Sequence, residues 1–225
     1  MNLLKFHNKI KGYTQNRQPG IEADMEPKPI AELEEYKAAG KLENKVALIT
    51  GGDSGIGRAI AILYAKEGAN VAIGYYDEHQ DAEDTVNRLQ EMGVKAKAYA
   101  HDLKDEKQSQ KLIKDVINDF GSLNILVNNG GVQFPRDHFE DITPQQVKET
   151  FMTNIFGMMF LSQSAVPYLS EGDTIINTTS VTAYRGSGHL IDYSATKGAI
   201  VSFTRSLATT LMEKGIRVNA VAPDR

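Results

Sequence analysis

From Lys45 onward the chain alternates two textures. Short, uniformly apolar runs such as "KVALIT", "NVAIGYY" and "LNILVNN" have the length and composition of strands buried on both faces of a parallel sheet. "VKAKAYAHDL", "DTIINTTS" and "IRVNAVA" complete the set of predicted strands. Between them, "RAIAILYAKEGA", "EDTVNRLQEMG" and "EKQSQKLIKDVINDFG" carry apolar positions at helical spacing, the first closed by Gly68. "TPQQVKETFMTNIFGMMFLSQSAVPYLSEG" reads as one long helix, with Thr143 as N-cap and Pro144 in the first turn. "IDYSATKGAIVSFTRSL" reads as the last helix. Strand and helix alternate throughout, which implies right-handed crossovers and a doubly wound parallel α/β sheet covered on both faces.

Residues 1–44 have a different texture. They are polar and punctuated by Pro19-Gly20, Pro27 and Pro29, and "IAELEEYKAAGK" is at most a short surface helix. The expected organisation is a mostly irregular N-terminal extension over 1–44 and a single domain over 45–225. A length of 225 residues with 41% hydrophobic positions suits one large core.

Composition removes several function classes. The 25 basic and 29 acidic residues give a net charge of −4 with no basic stripe, so no nucleic-acid partner is expected. The absence of cysteine excludes disulfides, thiolate nucleophiles and zinc-thiolate sites. His7, His79, His101, His138 and His189 lack metal-ligand spacing, so no metal is expected. No run approaches the roughly 18 apolar residues of a membrane span. The opening "MNLLKFHNKIKGY" is interrupted by Lys5, His7 and Lys9, unlike the continuous apolar stretch of a secretory signal. A cytoplasmic protein with no membrane partner is the expectation.

Chemistry enters at the end of the first strand. In "TGGDSGIGRAI", Gly51, Gly55 and Gly57 occupy a strand-to-helix turn. Glycine there permits positive φ and close approach of a phosphate, and the helix N-terminus offers free N–H groups and partial positive charge. That context points to a dinucleotide. Farther along, Tyr193 and Lys197 stand four positions apart and share a helix face. Alone, such a pair is ordinary packing of a ring on a lysine stem. Ser180 could likewise cap a turn, and Asn154 could satisfy a helix kink beside Gly157.

Together these motifs carry more weight. Thr50-Gly51-x-x-x-Gly55-Ile56-Gly57, "NNGG" at 128–131, Ser180 and Tyr193-x-x-x-Lys197, in that order, resemble the short-chain dehydrogenase/reductase family over about 45–223. "QPGIEADMEPKP" resembles the bacterial glucose/ribitol dehydrogenase-like, or general stress oxidoreductase, subgroup. The resemblance implies a Rossmann-like fold, hydride transfer between a nicotinamide cofactor and a secondary alcohol or carbonyl such as a sugar or polyol, and a homo-oligomer. It implies Tyr193 as proton donor, Lys197 beside it and on the cofactor ribose, Ser180 on the substrate oxygen and Asn154 holding a relay water. It also implies cofactor contacts from Gly51, Ser54, Gly55, Ile56, Gly57, Asp102, Leu103, Asn129, Gly130 and Gly131. Chemistry agrees for Tyr193, because an ammonium beside a phenol favours the phenolate.

Three features depart from the family pattern. Gly130 stands where alanine is usual. Tyr75 stands where many members carry an acid, with Asp77 two residues later at the spacing expected for a ribose contact. No arginine is expected there to meet a 2′-phosphate, so NAD is favoured over NADP. Finally, "VNAVAPDR" ends where the family continues into a substrate loop and a further strand, so the sequence reads as truncated. A dinucleotide-binding protein or truncated remnant with little turnover is the alternative.

Overall fold

The computed structural model describes residues 15, 17–18, 20–25, 27–33 and 35–224; the expectation for the first fourteen residues falls outside them. Within this range the strands are β1 (Val46–Thr50), β2 (Asn70–Tyr75), β3 (Ala96–Ala100), β4 (Ile125–Asn128), β5 (Thr174–Thr178) and β6 (Arg217–Val221). They form one sheet in the order β3-β2-β1-β4-β5-β6, and every neighbouring pair is parallel. The helices are α1 (Gly55–Lys66), α2 (His79–Glu91), α3 (Glu106–Phe120), α4 (Pro144–Phe151), α5 (Gly157–Ala165), α6 (Thr182–Arg185) and α7 (Ile191–Leu211). The short α6 has no counterpart in the sequence reading.

Strand β1 shows why apolar runs without alternation become central strands. Val46 and Leu48 enter one core with Leu112, Ile113 and Val116 of α3 and Leu161 of α5. Ala47 and Ile49 enter the other with Ala61, Ile62 and Ala65 of α1 and Leu89 of α2. Burying a side chain such as Leu48 or Ile49 fully is worth about 1.5–3 kcal/mol, and each of these two is completely buried. Successive strands run outward in opposite directions from β1 and β4, so the loops after those two strands diverge and leave a crevice at their carboxyl ends.

Two expectations are corrected. The long helix is interrupted by a π-helical turn, Met152–Phe156, between α4 and α5. Its start is as expected, with Thr143 Oγ1 accepting from the Gln146 N–H at 3.1 Å. The interruption comes from tertiary contact: α5 begins at Gly157, where a Cβ would lie 2.5 Å from the Leu103 carbonyl oxygen. The second correction concerns 30–41, where the described residues form no helix. Their polar groups face the domain instead of each other. Glu32 pairs with Lys66 and Arg88 at 2.9 Å. Glu67 accepts from the Tyr36 hydroxyl and from the backbone N–H groups of Ala39 and Lys41. The described part of the extension is a strap across α1 and α2.

Candidate active site

The turn out of β1 depends on hydrogen in place of side chains. Gly51 has φ of +60° and Gly55 of +52°, conformations that cost other residues energy. A Cβ on Gly57 would stand 1.8 Å from the Gly51 carbonyl oxygen, whereas nothing lies within 4 Å of where a Gly55 Cβ would project. The loop is tight on the protein side and open outward, and Ile56 is half exposed beside it. Ser54 is the N-cap of α1 but makes no side-chain capping bond. Glu22 of the strap does so, its Oε2 accepting from the Gly55 N–H at 2.6 Å and its Oε1 from Arg58 Nη1 at 2.9 Å. A carboxylate is stabilised at that positive helix end.

The loop after β4 is fastened to the one after β1. Thr50 Oγ1 accepts from the N–H groups of Asn129 at 3.0 Å and Gly130 at 2.9 Å. Asn129 Nδ2 returns the tie by donating to the Thr50 carbonyl at 3.1 Å. A Cβ on Gly130 would crowd the Leu103 Cδ1 methyl, at 2.9 Å, and reach ordinary contact with the Gly51 nitrogen and Thr50 Oγ1, both at 3.4 Å.

A cavity of about 290 Å³ opens over these loops. Of the residues singled out in the sequence, Gly51, Ser54, Tyr75, Asp102, Leu103, Asn129, Gly130 and Gly131 line it. Gly55, Ile56 and Gly57 stand at the head of α1 beside it rather than on its walls. Asp77 is not on the walls either. Its half-exposed carboxylate pairs with Arg17 Nη2 at 2.7 Å, and that corrects the expectation that no arginine stands there. The neighbouring Glu78 lines the cavity instead, with Asp53, His101 and Gln18. None of these four was legible as a site residue. The run "YYDEH" signals an acid without saying which one turns inward, and Arg17 and Gln18 are about 60 residues away in sequence.

Past Gly131 lie the polar residues of the later helices. The position of a Gly131 Cβ would be 3.1 Å from Asn154 Oδ1 and 3.8 Å from Lys197 Nζ. Asn154, in the π-helical turn, is buried; Oδ1 accepts from the Val132 N–H at 2.8 Å, and Nδ2 donates to the Val132 carbonyl at 2.8 Å. Lys197 is buried and donates to the Thr178 carbonyl at 2.8 Å. Burial pulls its ammonium down to about 8. Its Nζ lies 5.3 Å from the centroid of the half-buried Tyr193 ring. Ser180, two residues beyond β5, is buried and accepts from the Thr182 N–H at 3.2 Å and hydroxyl at 3.1 Å. The start of α7 is pinned to α4 through Asp192 Oδ2, which accepts from Thr150 Oγ1 at 2.7 Å and Gln146 Nε2 at 3.1 Å.

Comparison with known proteins decides what this crevice belongs to. A family model for short chain dehydrogenases matches residues 45–224. The chain belongs to the short-chain dehydrogenase family. This short-chain dehydrogenase is 50% identical over 221 residues to general stress protein 39 of Bacillus subtilis (strain 168), covering 98% of this chain and 77% of that protein. It is 46% identical to the glucose and ribitol dehydrogenase of Daucus carota, over 93% of this chain and 74% of that one. A solved short chain dehydrogenase from Burkholderia cenocepacia J2315, in complex with NADP, superposes with a TM-score of 0.79 at 36% identity, covering 81% of this chain and 75% of its own. The enzyme is an NAD(P)-dependent oxidoreductase with a doubly wound, Rossmann-like fold. The residues present fit a dinucleotide: the glycine turn is open outward only at Gly55, and buried His101 has no hydrogen-bond partner for either ring nitrogen while lining the cavity. Among the described residues no helix is long and apolar enough to cross a membrane.

Proposed function

We propose that this short-chain dehydrogenase acts on the secondary alcohol of a sugar or polyol, or on the corresponding carbonyl, with NAD as its preferred cofactor. The carrying observation is the meeting of Asn154 and Lys197 at Gly131, on the edge of the glycine-loop cavity and one helical turn from Tyr193. When bound, the nicotinamide gives or takes the hydride. The chain's task is the accompanying proton, which must move to or from the substrate oxygen. Tyr193 suits that role because its hydroxyl sits on a half-buried ring next to an ammonium. Lys197 keeps its charge below about pH 8, so at neutral pH it favours the phenolate. Ser180, close to the same carboxyl ends of the sheet, suits a hydrogen bond to the substrate oxygen. Asn154 suits a relay from Lys197 outward.

Gly51, Ser54, Gly55, Ile56 and Gly57 suit the pyrophosphate and nearby ribose, Asp102 and Leu103 the adenine, and Asn129, Gly130 and Gly131 the inner wall. The NAD preference rests on charge. Asp53, Glu78, Asp102 and Glu149 line the cavity against Lys104, with Arg17 on Glu78. Burial pushes the Asp53 and Glu78 carboxyls up, and the acids still outnumber the cations, which disfavours a 2′-phosphate. The resemblance to a glucose and ribitol dehydrogenase supports the substrate class, and the cysteine-free composition suits the cytoplasm. A homo-oligomer is implied by the family resemblance alone.

The test supplies NADH or NADPH with aldoses, ketoses and simple carbonyls, and NAD⁺ or NADP⁺ with polyols, following nicotinamide absorbance. Turnover of a sugar or polyol, faster with NAD(H), is the expected result. Dinucleotide binding without turnover across the panel would point to a non-catalytic binding protein instead.

A further inference from the structure

The strap reaches the cofactor cavity at one corner. Gln18 is on the wall, and its neighbour Arg17 places Nη2 2.7 Å from Asp77 Oδ1 and 2.8 Å from Glu78 Oε1. The two acids are not equivalent. The Asp77 side chain is 50% exposed and off the wall, whereas that of Glu78 is 2% exposed and on it. The second Glu78 oxygen accepts only a long bond, 3.3 Å, from the Asp77 N–H.

Glu78 follows the carboxyl end of β2, across from the glycine turn, where the adenosine ribose of a dinucleotide falls in doubly wound sheets. Burial and the adjoining Asp77 push the Glu78 carboxyl up to about 7, and Arg17 and the Asp77 N–H donate to it; a further donor from the cavity side would hold it ionised. A ribose 2′-hydroxyl is a donor; a 2′-phosphate is another anion. A second buried group marks the same corner. His101 is 6% exposed, and its ring packs against Gly74 of β2, where a Cβ would lie 2.5 Å from Cε1. Neither of its ring nitrogens has a partner within the protein.

We propose that Glu78, rather than Asp77, is the carboxylate that reads the 2′ position of the adenosine ribose, and that Arg17 of the N-terminal extension holds it in place. The extension then takes part in choosing NAD over NADP. This rests on the cofactor reading above. Arg17 is a positioning residue: it stands behind the carboxylate and acts through it.

The experiment measures Kd for NAD⁺ and NADP⁺ by calorimetry on the whole chain and its variants. Glu78→Gln should lower the Kd ratio of NADP⁺ to NAD⁺ about tenfold, the scale of one charge-assisted hydrogen bond. Asp77→Asn should leave that ratio within about twofold, the scale of a solvent-exposed charge. Arg17→Gln should weaken NAD⁺ binding severalfold, and Arg17→Lys should recover most of it. The Arg17 side chain is 40% exposed, so this arm stands even where a Glu78 variant folds poorly. A ratio moved by Asp77→Asn and unmoved by Glu78→Gln overturns the assignment of Glu78. Wild-type affinities in both Arg17 variants overturn the role of the extension. A wild-type protein that binds neither dinucleotide overturns the cofactor reading itself, which separates that failure from the other two.

Discussion

Lys197 lies one helical turn from Tyr193, its Nζ 5.3 Å from the ring centroid, and is held there by the Thr178 carbonyl at 2.8 Å. The lysine is buried, so its charge is maintained at a cost that depends on pH. Its folded pKa of about 8 lies below the ordinary 10.5, so the unfolded chain binds more protons between those values and stability rises with pH across them. Compared with Lys197→Met, the wild type should show a constant stability difference below about pH 8 and a relative gain from there to 10.5, on the order of 3 kcal/mol in full. Urea midpoints between pH 7 and about 10.5 measure it. A difference independent of pH would mean that the ammonium is not desolvated. Turnover should decline above about pH 8 in the wild type, as the charge favouring the phenolate is lost.

Two glycines separate a required hydrogen atom from a tolerated one. Gly57→Ala drives a methyl into the Gly51 carbonyl, a backbone atom at 1.8 Å, so the loop must move. Dinucleotide affinity should fall at least about tenfold, the measure of a shift in a close-packed phosphate turn. Gly130→Ala crowds the end of the Leu103 side chain, at 2.9 Å, its other neighbours lying at an ordinary 3.4 Å, and should stay within about threefold of wild type, because a flexible side chain yields cheaply. Calorimetric titration of both variants checks the order. Reversal of that order would contradict the loop geometry.

Asn154 is committed to both backbone groups of Val132. Asn154→Ala leaves a buried donor and a buried acceptor unpaired, each worth about 1–3 kcal/mol, so chemical denaturation should show a loss of roughly 2–6 kcal/mol. Asn154→Asp keeps the acceptor and should fall between the two. A loss under about 0.5 kcal/mol, the range of ordinary surface changes, would show that the Val132 loop is held by something else.

The strap should be acid-labile. Hydrogen bonds from Arg88 and Lys66 hold Glu32 down to about 2, and those from the Tyr36 hydroxyl and the Lys41 backbone do the same for Glu67. For a depressed carboxyl the stabilisation is complete above the ordinary 4.5 and is lost as pH falls through about 2. Amide exchange at Ala39 and Lys41 should accelerate over that window, relative to the intrinsic rate, while Leu48 and Ile73 in the sheet remain protected. Glu67→Gln should show the same loosening at neutral pH. Protection of Ala39 and Lys41 that is unchanged down to pH 2 would contradict the account.

What the sequence disclosed follows the range of the forces involved. Strands β1, β2 and β4 were legible because burial on both faces leaves an uninterrupted apolar run, and the glycine turn because backbone geometry dictates residue type locally. The π-helical turn at Met152–Phe156 was not, since those residues keep helical spacing and the break comes from packing against Leu103 and Val132, 20 to about 50 positions away. The choice between Asp77 and Glu78 was hidden for a similar reason. A residue count places an acid near the ribose, but which neighbour turns inward depends on Arg17, 61 positions from Glu78. Glu22 at the head of α1 gave no signal at all, because Ser54 already fills the N-cap position in sequence.

Tyr193 decides whether the glycine-loop cavity and the Tyr193–Lys197 turn work as one active site, with the phenol moving the proton. In Tyr193→Phe the ring remains and only the hydroxyl goes. Dinucleotide Kd and turnover, measured on the same preparation of this variant, should separate: affinity within about twofold of wild type, and kcat lower by roughly 10²- to 10⁴-fold, the usual worth of a positioned acid or base. A variant that keeps near-wild-type kcat would contradict the claim.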